Sequence, residues 1–348
     1  MTAKSNMLTN VVVIRNILIV LLVFYHAFAP YSGAWEPIEG YPAIRAYWWL
    51  DWLSYAFMLE MFVFVSGYVF GFQVRTKGKE KLYAKNLLWG KFKRLMIPCM
   101  AFSLLYILLF QDIKQPVYMT AYNLINGVGH MWFLPMLFWC FVGVWIIEKT
   151  HLKPKWALLL CVIASMCSFL HLPLRMDSAM YYMLFFYVGY IIQRNNYSIV
   201  YLATKRYALI TTISFIILFP LLTLLKERIV GIEVEDGNQL VVLGIKSLAI
   251  RASQIIYAMA GIAMAFSLVG CYLIKHSLKE WMVQVSALSF GVYLFQQFVL
   301  KGLYDHTILP TLLGCYWLPW FGFIITLISS LILSWLLRKT QIGRFLIG

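Results

Sequence analysis

Apolar runs long enough to cross a membrane recur along the whole chain, and they limit what it can fold into. A bilayer core of about 30 Å requires roughly 20 apolar residues per helix. Backbone groups in lipid must be hydrogen-bonded internally, so each run is expected to be an α-helix. We predict ten spanning helices, at residues 11–29, 48–72, 95–110, 131–147, 156–170, 179–192, 207–225, 249–274, 288–304 and 316–337.

The composition excludes a soluble protein. Of the 348 residues, 62% are hydrophobic and 12% are charged, and the mean hydropathy is +0.77. A soluble domain carries about 25% charged residues. The sequence therefore predicts an all-α polytopic membrane protein, with one membrane domain over residues 1–348. The six cysteines are scattered without metal-ligand spacing, so no metal site is predicted.

The basic residues predict how the chain lies in the membrane. They cluster in particular loops, which indicates membrane orientation and argues against nucleic acid as a partner. By the positive-inside rule, both termini of this multi-pass protein are expected on the cytoplasmic side of a cell membrane, of the bacterial inner or plasma membrane type. The densest cluster lies in residues 75–94 and contains Arg75, Lys77, Lys79, Lys81, Lys85, Lys91, Lys93 and Arg94.

The first apolar run contains two ionisable residues, Arg15 and His26. Their spacing of eleven residues turns the helix by about 1,100°, so both face nearly the same way. Arg15 is expected near the cytoplasmic surface, with His26 roughly 16 Å further along the axis. Ionisable residues inside a membrane indicate a functional site. The alternative is that Arg15 snorkels to lipid phosphate and that His26 only ends the helix.

Two carboxylic acids lie in the second run. Asp51 and Glu60 are nine residues apart, which on one continuous helix places them on opposite faces. Asp51 is expected at the depth of His26. Glu60 is expected near mid-membrane, either neutral or paired, with Arg15 or Arg251 as partner. A purely structural ion pair is the alternative for Glu60.

Further residues fall on the side predicted to be extracytoplasmic. His130 and Trp132 begin the fourth run, and His130 is expected in the depth range of His26. Several aromatic residues there suit either stacking on sugar rings or an interfacial belt, and we favour the belt. These are Tyr31, Trp35, Tyr41, Tyr47, Trp48 and Trp49.

Six short motifs follow one another along the chain. They are Arg-x10-His ending at His26, Phe-Val-Phe-Val-Ser-Gly-Tyr at 62–68, Lys-Phe-Lys-Arg-Leu-Met-Ile-Pro at 91–98, His-Met-Trp-Phe-Leu at 130–134, Phe-Phe-Tyr-Val-Gly at 185–189 and Ser-Phe-Gly-Val-Tyr-Leu at 289–294. In this order they resemble the acyltransferase-3 family of membrane O-acyltransferases.

The chain also departs from that pattern. Lys91 stands where the family has arginine, which keeps the charge but loses bidentate phosphate geometry. Gln296 and Gln297 stand where a histidine often follows, and Phe133 stands where some members have a tyrosine. No proton transfer is therefore assigned to these three positions.

The resemblance implies transfer of an acyl group, most often acetyl, from cytoplasmic acyl-CoA to a hydroxyl of an extracytoplasmic glycan or glycolipid. Acetyl-CoA is then a substrate, and no bound cofactor is implied. His26 would act as general base or as acyl carrier, with Glu60 or Asp51 holding its tautomer. The other residues implied are Tyr293 for catalysis, and Arg15, Lys91, Arg94, Ser66, Asp51, His130 and Trp132 for substrate binding.

Two interpretations remain beside these implied roles. Ser66, next to Gly67, also suits close helix packing. The whole set of buried ionisable residues also suits a transporter that exports a polysaccharide or lipid-linked glycan. We find no repeat between the two halves of the chain, and repeats are common in transporters.

Overall fold

The computed structural model describes residues 3–78, 86–111, 116–197, 202–232 and 239–347. Secondary structure in these ranges is helical, with two short 3₁₀ turns at Gly129–Trp132 and Pro173–Arg175. The α-helices are α1 (Ala3–Ser32), α2 (Arg45–Tyr55), α3 (Met58–Lys77), α4 (Leu87–Phe110), α5 (Val117–Asn126), α6 (Phe133–Lys149), α7 (Pro154–Met166), α8 (Met176–Arg194), α9 (Lys205–Val230), α10 (Gln239–Lys275), α11 (Glu280–Asp305), α12 (Leu309–Lys339) and α13 (Gln341–Ile347).

Membrane-length helices dominate this fold. Within the described ranges, eight helical segments are long and apolar enough to cross a membrane, at Thr9–Ser32, Arg45–Lys77, Leu87–Phe110, Gly129–Lys149, Lys205–Val230, Val241–Lys275, Glu280–Asp305 and Leu309–Lys339. They match eight of the ten predicted spans. The spans predicted at 156–170 and 179–192 correspond to α7 and α8, which are not among the eight.

The predicted orientation, with both termini in the cytoplasm, stays a prediction. The prediction is based mainly on the basic cluster at residues 75–94. Three members of that cluster lie outside the described residues, namely Lys79, Lys81 and Lys85. The chain divides into two compact units, and the single membrane domain likewise stays a prediction. The first unit comprises the residues up to Met58 and those from Tyr272 onward, and the second unit comprises Leu59–Cys271.

The second predicted span is not one helix. A turn at Ala56 and Phe57 separates α2 from α3. The prediction that Asp51 and Glu60 face opposite ways assumed one continuous helix. That assumption is wrong, because the two residues lie on separate helices. Neither a proline nor a glycine marks this break, and the division between the two units falls beside it.

In the first unit, α1 packs against α2, α11 and α12. Tyr31 at the end of α1 donates its hydroxyl hydrogen bond to the main-chain carbonyl of Cys315 in α12. That carbonyl would pair with the N–H of residue 319 in a regular helix, but residue 319 is proline and has none. The tyrosine therefore satisfies a carbonyl that the helix leaves without its usual partner.

Two more tyrosines make the same kind of contact with α12. Tyr41 donates to the carbonyl of Pro310 at 2.6 Å, and Tyr47 donates to the carbonyl of Tyr316 at 2.9 Å. The usual partner of the Pro310 carbonyl is the N–H of Gly314, where the backbone is non-helical with φ 65°. The Tyr41 phenol is protonated at neutral pH and can donate, and desolvation raises its pKa further. These bonds fix the start of α12 to residues 31–47.

In the second unit, α3 and α8 are in backbone contact. A Cβ on Gly67 would collide with the carbonyl oxygen of Phe186, and one on Gly71 would collide with that of Tyr190. From the opposite side, a Cβ on Gly189 would collide with the carbonyl oxygen of Phe64. Small residues allow helices to approach this closely in membranes. The close-packing interpretation of the Ser-Gly motif is therefore confirmed for Gly67.

Candidate functional site

His26 lies near the end of α1 with 7% of its surface exposed. Its Nδ1 is 3.0 Å from the main-chain carbonyl oxygen of Leu22, one turn earlier in the helix. A carbonyl oxygen only accepts, so Nδ1 must carry the proton, and the basic lone pair of the neutral ring is on Nε2. The imidazole also contacts the rings of Tyr25 and Trp35, at centroid distances of 4.9 and 5.9 Å.

The sequence assigned the task of holding this tautomer to a carboxylate. The Leu22 carbonyl occupies that position at Nδ1 instead, so neither Asp51 nor Glu60 is needed for it. Asp51 lies in the first unit with 1% of its surface exposed, close to Ser32 at the end of α1, whose hydroxyl donates to the Ala29 carbonyl at 3.2 Å. Its Oδ1 has no hydrogen-bond partner among the described residues. Asp51 is therefore buried where α2 lies near the end of α1.

The remaining predicted site residues of the first unit are Arg15 and Tyr293. Arg15 is half-buried in α1, and the next residue, Asn16, donates to the carbonyl of Met282 at 2.9 Å. This bond attaches α1 to the first turn of α11. Tyr293 is buried in α11, where its ring stacks on that of Phe290 with centroids 6.1 Å apart.

The second unit contains a buried polar cluster around Glu60, which is 6% exposed. The Tyr181 hydroxyl donates to Glu60 Oε1 at 2.9 Å. The guanidinium of Arg251 lies 5.1 Å from the centroid of the Tyr181 ring, and its charge acts on the carboxylate. Glu60 Oε2 has no hydrogen-bond partner within the described ranges. Arg251, one of the two arginines proposed as partners of Glu60, therefore lies in the same cluster, over the Tyr181 ring.

The two basic residues predicted to bind phosphate differ in their surroundings. The Lys91 ammonium lies 3.9 Å from the ring centroid of Phe141 and 5.1 Å from that of Phe70. Arg94 is exposed. A cation held over aromatic faces is already stabilised there, whereas an exposed guanidinium is available to an incoming anion.

His130 lies in a tightly held turn of the second unit and is 5% exposed. The turn follows Gly127, whose φ of 79° disfavours any side chain, and Ser103 accepts the N–H of Val128 at 3.1 Å. The imidazole of His130 contacts the Tyr106 ring at 6.4 Å. The neighbouring Trp132 is half-buried and contacts the ring of Tyr182 at 6.1 Å.

Ser66 is half-buried in α3. Its hydroxyl donates to the carbonyl of Phe62, four residues earlier in the same helix, at 2.8 Å. A serine engaged in this way has its proton committed to its own helix.

Sequence reasoning missed two groups. The Leu22 carbonyl was foreseeable, because it lies four residues before His26 on the same helix. Tyr181 was not, because it is one of two adjacent tyrosines in an apolar helix, 121 residues from Glu60.

The fold and these buried ionisable groups define a polytopic helical membrane protein with polar centres inside its candidate spans. A family model described as an acyltransferase domain, that of the acyltransferase-3 family, matches residues 9–339. The chain belongs to this family, and it is a membrane acyltransferase. Searches of curated proteins and of solved structures gave no significant match.

Proposed function

We propose that the chain transfers an acyl group, acetyl in the first instance, from cytoplasmic acyl-CoA to a hydroxyl of an extracytoplasmic glycan or glycolipid in a bacterial cell envelope. The observation that carries the proposal is the fixed tautomer of His26 in a chain of this family. With Nδ1 bonded to the Leu22 carbonyl, Nε2 offers a lone pair. Acyl transfer to a hydroxyl requires such a base.

Two routes use that lone pair. In the first, Nε2 takes the proton from the acceptor hydroxyl while its oxygen attacks the thioester carbonyl. The C–S bond then breaks, and the departing CoA sulfur receives the proton from the imidazolium. In the second, Nε2 attacks the thioester itself, the C–S bond breaks, and CoA leaves as thiolate from an Nε2-acyl imidazolium that keeps its Nδ1 proton. The acceptor oxygen next displaces the imidazole from the acyl group, and the proton of its hydroxyl passes to the thiolate to give free CoA thiol. Both routes leave His26 as it began.

The basic residues supply the donor end in this proposal. Acyl-CoA carries several phosphate charges, and exposed cations on the cytoplasmic side would attract them. Arg94 is exposed and is our first candidate, with half-buried Arg15 as the second. Lys91 contributes less directly, because its ammonium is held over Phe141.

The test is release of free thiol from acetyl-CoA by the purified chain in lipid nanodiscs. We expect release by the wild type, including slow hydrolysis without acceptor, and loss of release in His26→Ala. His171→Ala is the matched control, because His171 is exposed in a loop. Full activity of His26→Ala would refute the role of His26.

An exporter is the second candidate, and the buried cluster of Glu60, Tyr181 and Arg251 favours it, since intramembrane charges also line transport paths. Thermal stability separates the two. Acetyl-CoA should raise the Tm of an acyltransferase by mass action. If short acyl-CoAs cause no thiol release and no Tm shift, the result favours export.

A further inference from the structure

Residues 33–44, here named the Trp35 loop, follow α1 and are hydrogen-bonded near both ends. Gly33 ends the helix with φ 81°, and the N–H of Trp35 then donates to the carbonyl of Ala29 at 3.2 Å. Further along, Tyr41 is bonded to the Pro310 carbonyl. The loop is therefore fixed to α1 at one end and to α12 near the other.

Trp35 differs from the other aromatic residues that the sequence grouped with it. Tyr31, Tyr41 and Tyr47 each donate a hydroxyl to a carbonyl of α12, which is a structural contact. Trp35 is half-buried, and its ring lies beside the imidazole of His26, with centroids 5.9 Å apart and planes inclined by 38°.

A charged pair from α11 lies next to the Trp35 ring. The Lys301 ammonium is 5.4 Å from the centroid of the Trp35 ring and 3.4 Å from Asp305 Oδ2. The pair is partly exposed and has no net charge, so it offers both donors and acceptors without attracting anions. The Trp35 loop itself adds two exposed acids, Glu36 and Glu39.

We propose that Trp35 is the platform on which a neutral sugar ring of the acceptor stacks, beside His26; this rests on the proposed acyl transfer. The face of a pyranose presents C–H groups with partial positive charge, which suit the negative face of an indole. The hydroxyls around its edge suit the Lys301–Asp305 pair and the lone pair of His26. A phosphate or uronate would meet the acids of the loop instead.

An interfacial belt explains Trp35 less well than it explains Trp48. The Trp48 ring carries the guanidinium of Arg45 at 4.2 Å from its centroid, an arrangement typical of a membrane surface. Trp35 instead contacts His26, Lys301 and Tyr304. Trp48 is therefore the matched control.

The experiment measures binding by saturation-transfer NMR on the full chain in nanodiscs free of glycolipid. The probes are methyl β-glucopyranoside, its glucuronide counterpart and the open-chain polyol sorbitol. For the wild type we expect saturation of methyl glucopyranoside, and little for the other two. Trp35→Ala should raise the Kd for methyl glucopyranoside about tenfold, as expected for loss of a stacking ring. Trp35→Phe should retain part of the binding and Trp48→Ala all of it.

Three results would overturn the platform: no ring selectivity in the wild type, equal binding by wild type, Trp35→Ala and Trp35→Phe, or an equal loss in Trp48→Ala. Trp35→Phe keeps the test decisive if the alanine variant does not fold. Thiol release from acetyl-CoA by the wild type is measured in the same preparation. Release without Trp35-dependent sugar binding refutes the platform and keeps acyl transfer. Sugar binding without release refutes acyl transfer and keeps a sugar site.

Discussion

Each unit contains a buried ionisable residue whose neighbours are well defined, His26 in the first and Glu60 in the second, and these neighbours differ. In the first unit, His26 is held by a main-chain carbonyl, which neither ionises nor gives up a proton. In the second unit, Glu60 is held by the Tyr181 phenol, under the charge of Arg251. A carbonyl at Nδ1 leaves the reactive lone pair of the imidazole on Nε2, whereas a phenol hydroxyl and a nearby guanidinium hold the Glu60 carboxyl group in place.

This difference suggests a division of roles. The centre in the first unit is arranged for chemistry, and the centre in the second unit is arranged to hold helices α3, α8 and α10 together. Breaking a buried charge cluster is costly because an uncompensated group remains. Variants in the two units test that division.

Gly67→Ala should damage the second unit most. The added Cβ meets the Phe186 carbonyl, a backbone atom that cannot move aside cheaply, so we expect a loss of about 1–3 kcal/mol or more in stability. Thermal unfolding in detergent measures it. Gly90→Ala is the control, because a Cβ there meets nothing within 4 Å. Equal Tm values for the two variants would contradict the backbone contact between α3 and α8.

Tyr181→Phe should destabilise the chain next most strongly. It removes the donor to Glu60 Oε1, and a buried acceptor without its partner costs about 1–3 kcal/mol. The melting temperature should fall, while thiol release by the folded protein falls far less than in His26→Ala. Tyr118→Phe is the control, since Tyr118 is 72% exposed. An unchanged Tm with abolished thiol release would show that the Glu60 cluster takes part in catalysis, and it would contradict the structural role given to the second unit's centre.

Arg94→Ala should affect donor binding, whereas Lys91→Ala should affect stability. Removing exposed Arg94 should raise the KM for acetyl-CoA about tenfold, or about 1.4 kcal/mol, and this difference should shrink at high salt. Lys91→Ala should instead lower the Tm, through loss of the cation–π contact with Phe141. Steady-state kinetics at two ionic strengths, with melting curves, check both. A larger KM effect at Lys91 would reverse this assignment.

Ser66→Ala should have the smallest effect. The hydroxyl is bonded within its own helix, so we expect a stability change within about 0.5 kcal/mol and nearly unchanged thiol release. Ser66→Thr, which keeps a hydroxyl, is the companion variant. A tenfold loss of release in the alanine variant alone would indicate that Ser66 contacts the substrate.

Hydropathy alone predicted most of the helices, because each membrane-length run must satisfy its own backbone. It did not predict the turn at Ala56 and Phe57, where no proline or glycine interrupts the apolar pattern. The short helix α5 was also missed. It is ten residues long with none of them buried, so it lacks the length that identifies a span.

The candidate site was predictable only where it depends on one helix. The spacing of Arg15 and His26 follows from helical geometry, and so does the Leu22 carbonyl at Nδ1. The pairing of Glu60 with Tyr181 depends on how α3 meets α8, which no local pattern specifies. The hydroxyl of Tyr31 reaches Cys315 across 284 residues for the same reason.

The most direct test of the account is thiol release from acetyl-CoA by His26→Asn in nanodiscs. The asparagine amide nitrogen takes the place of imidazole Nδ1 and can donate to the Leu22 carbonyl, but the amide cannot take up a proton or carry an acyl group. The account predicts a Tm close to that of the wild type and release slower by about a hundredfold or more. Release within tenfold of the wild type would show that the imidazole of His26 is not the base or the acyl carrier.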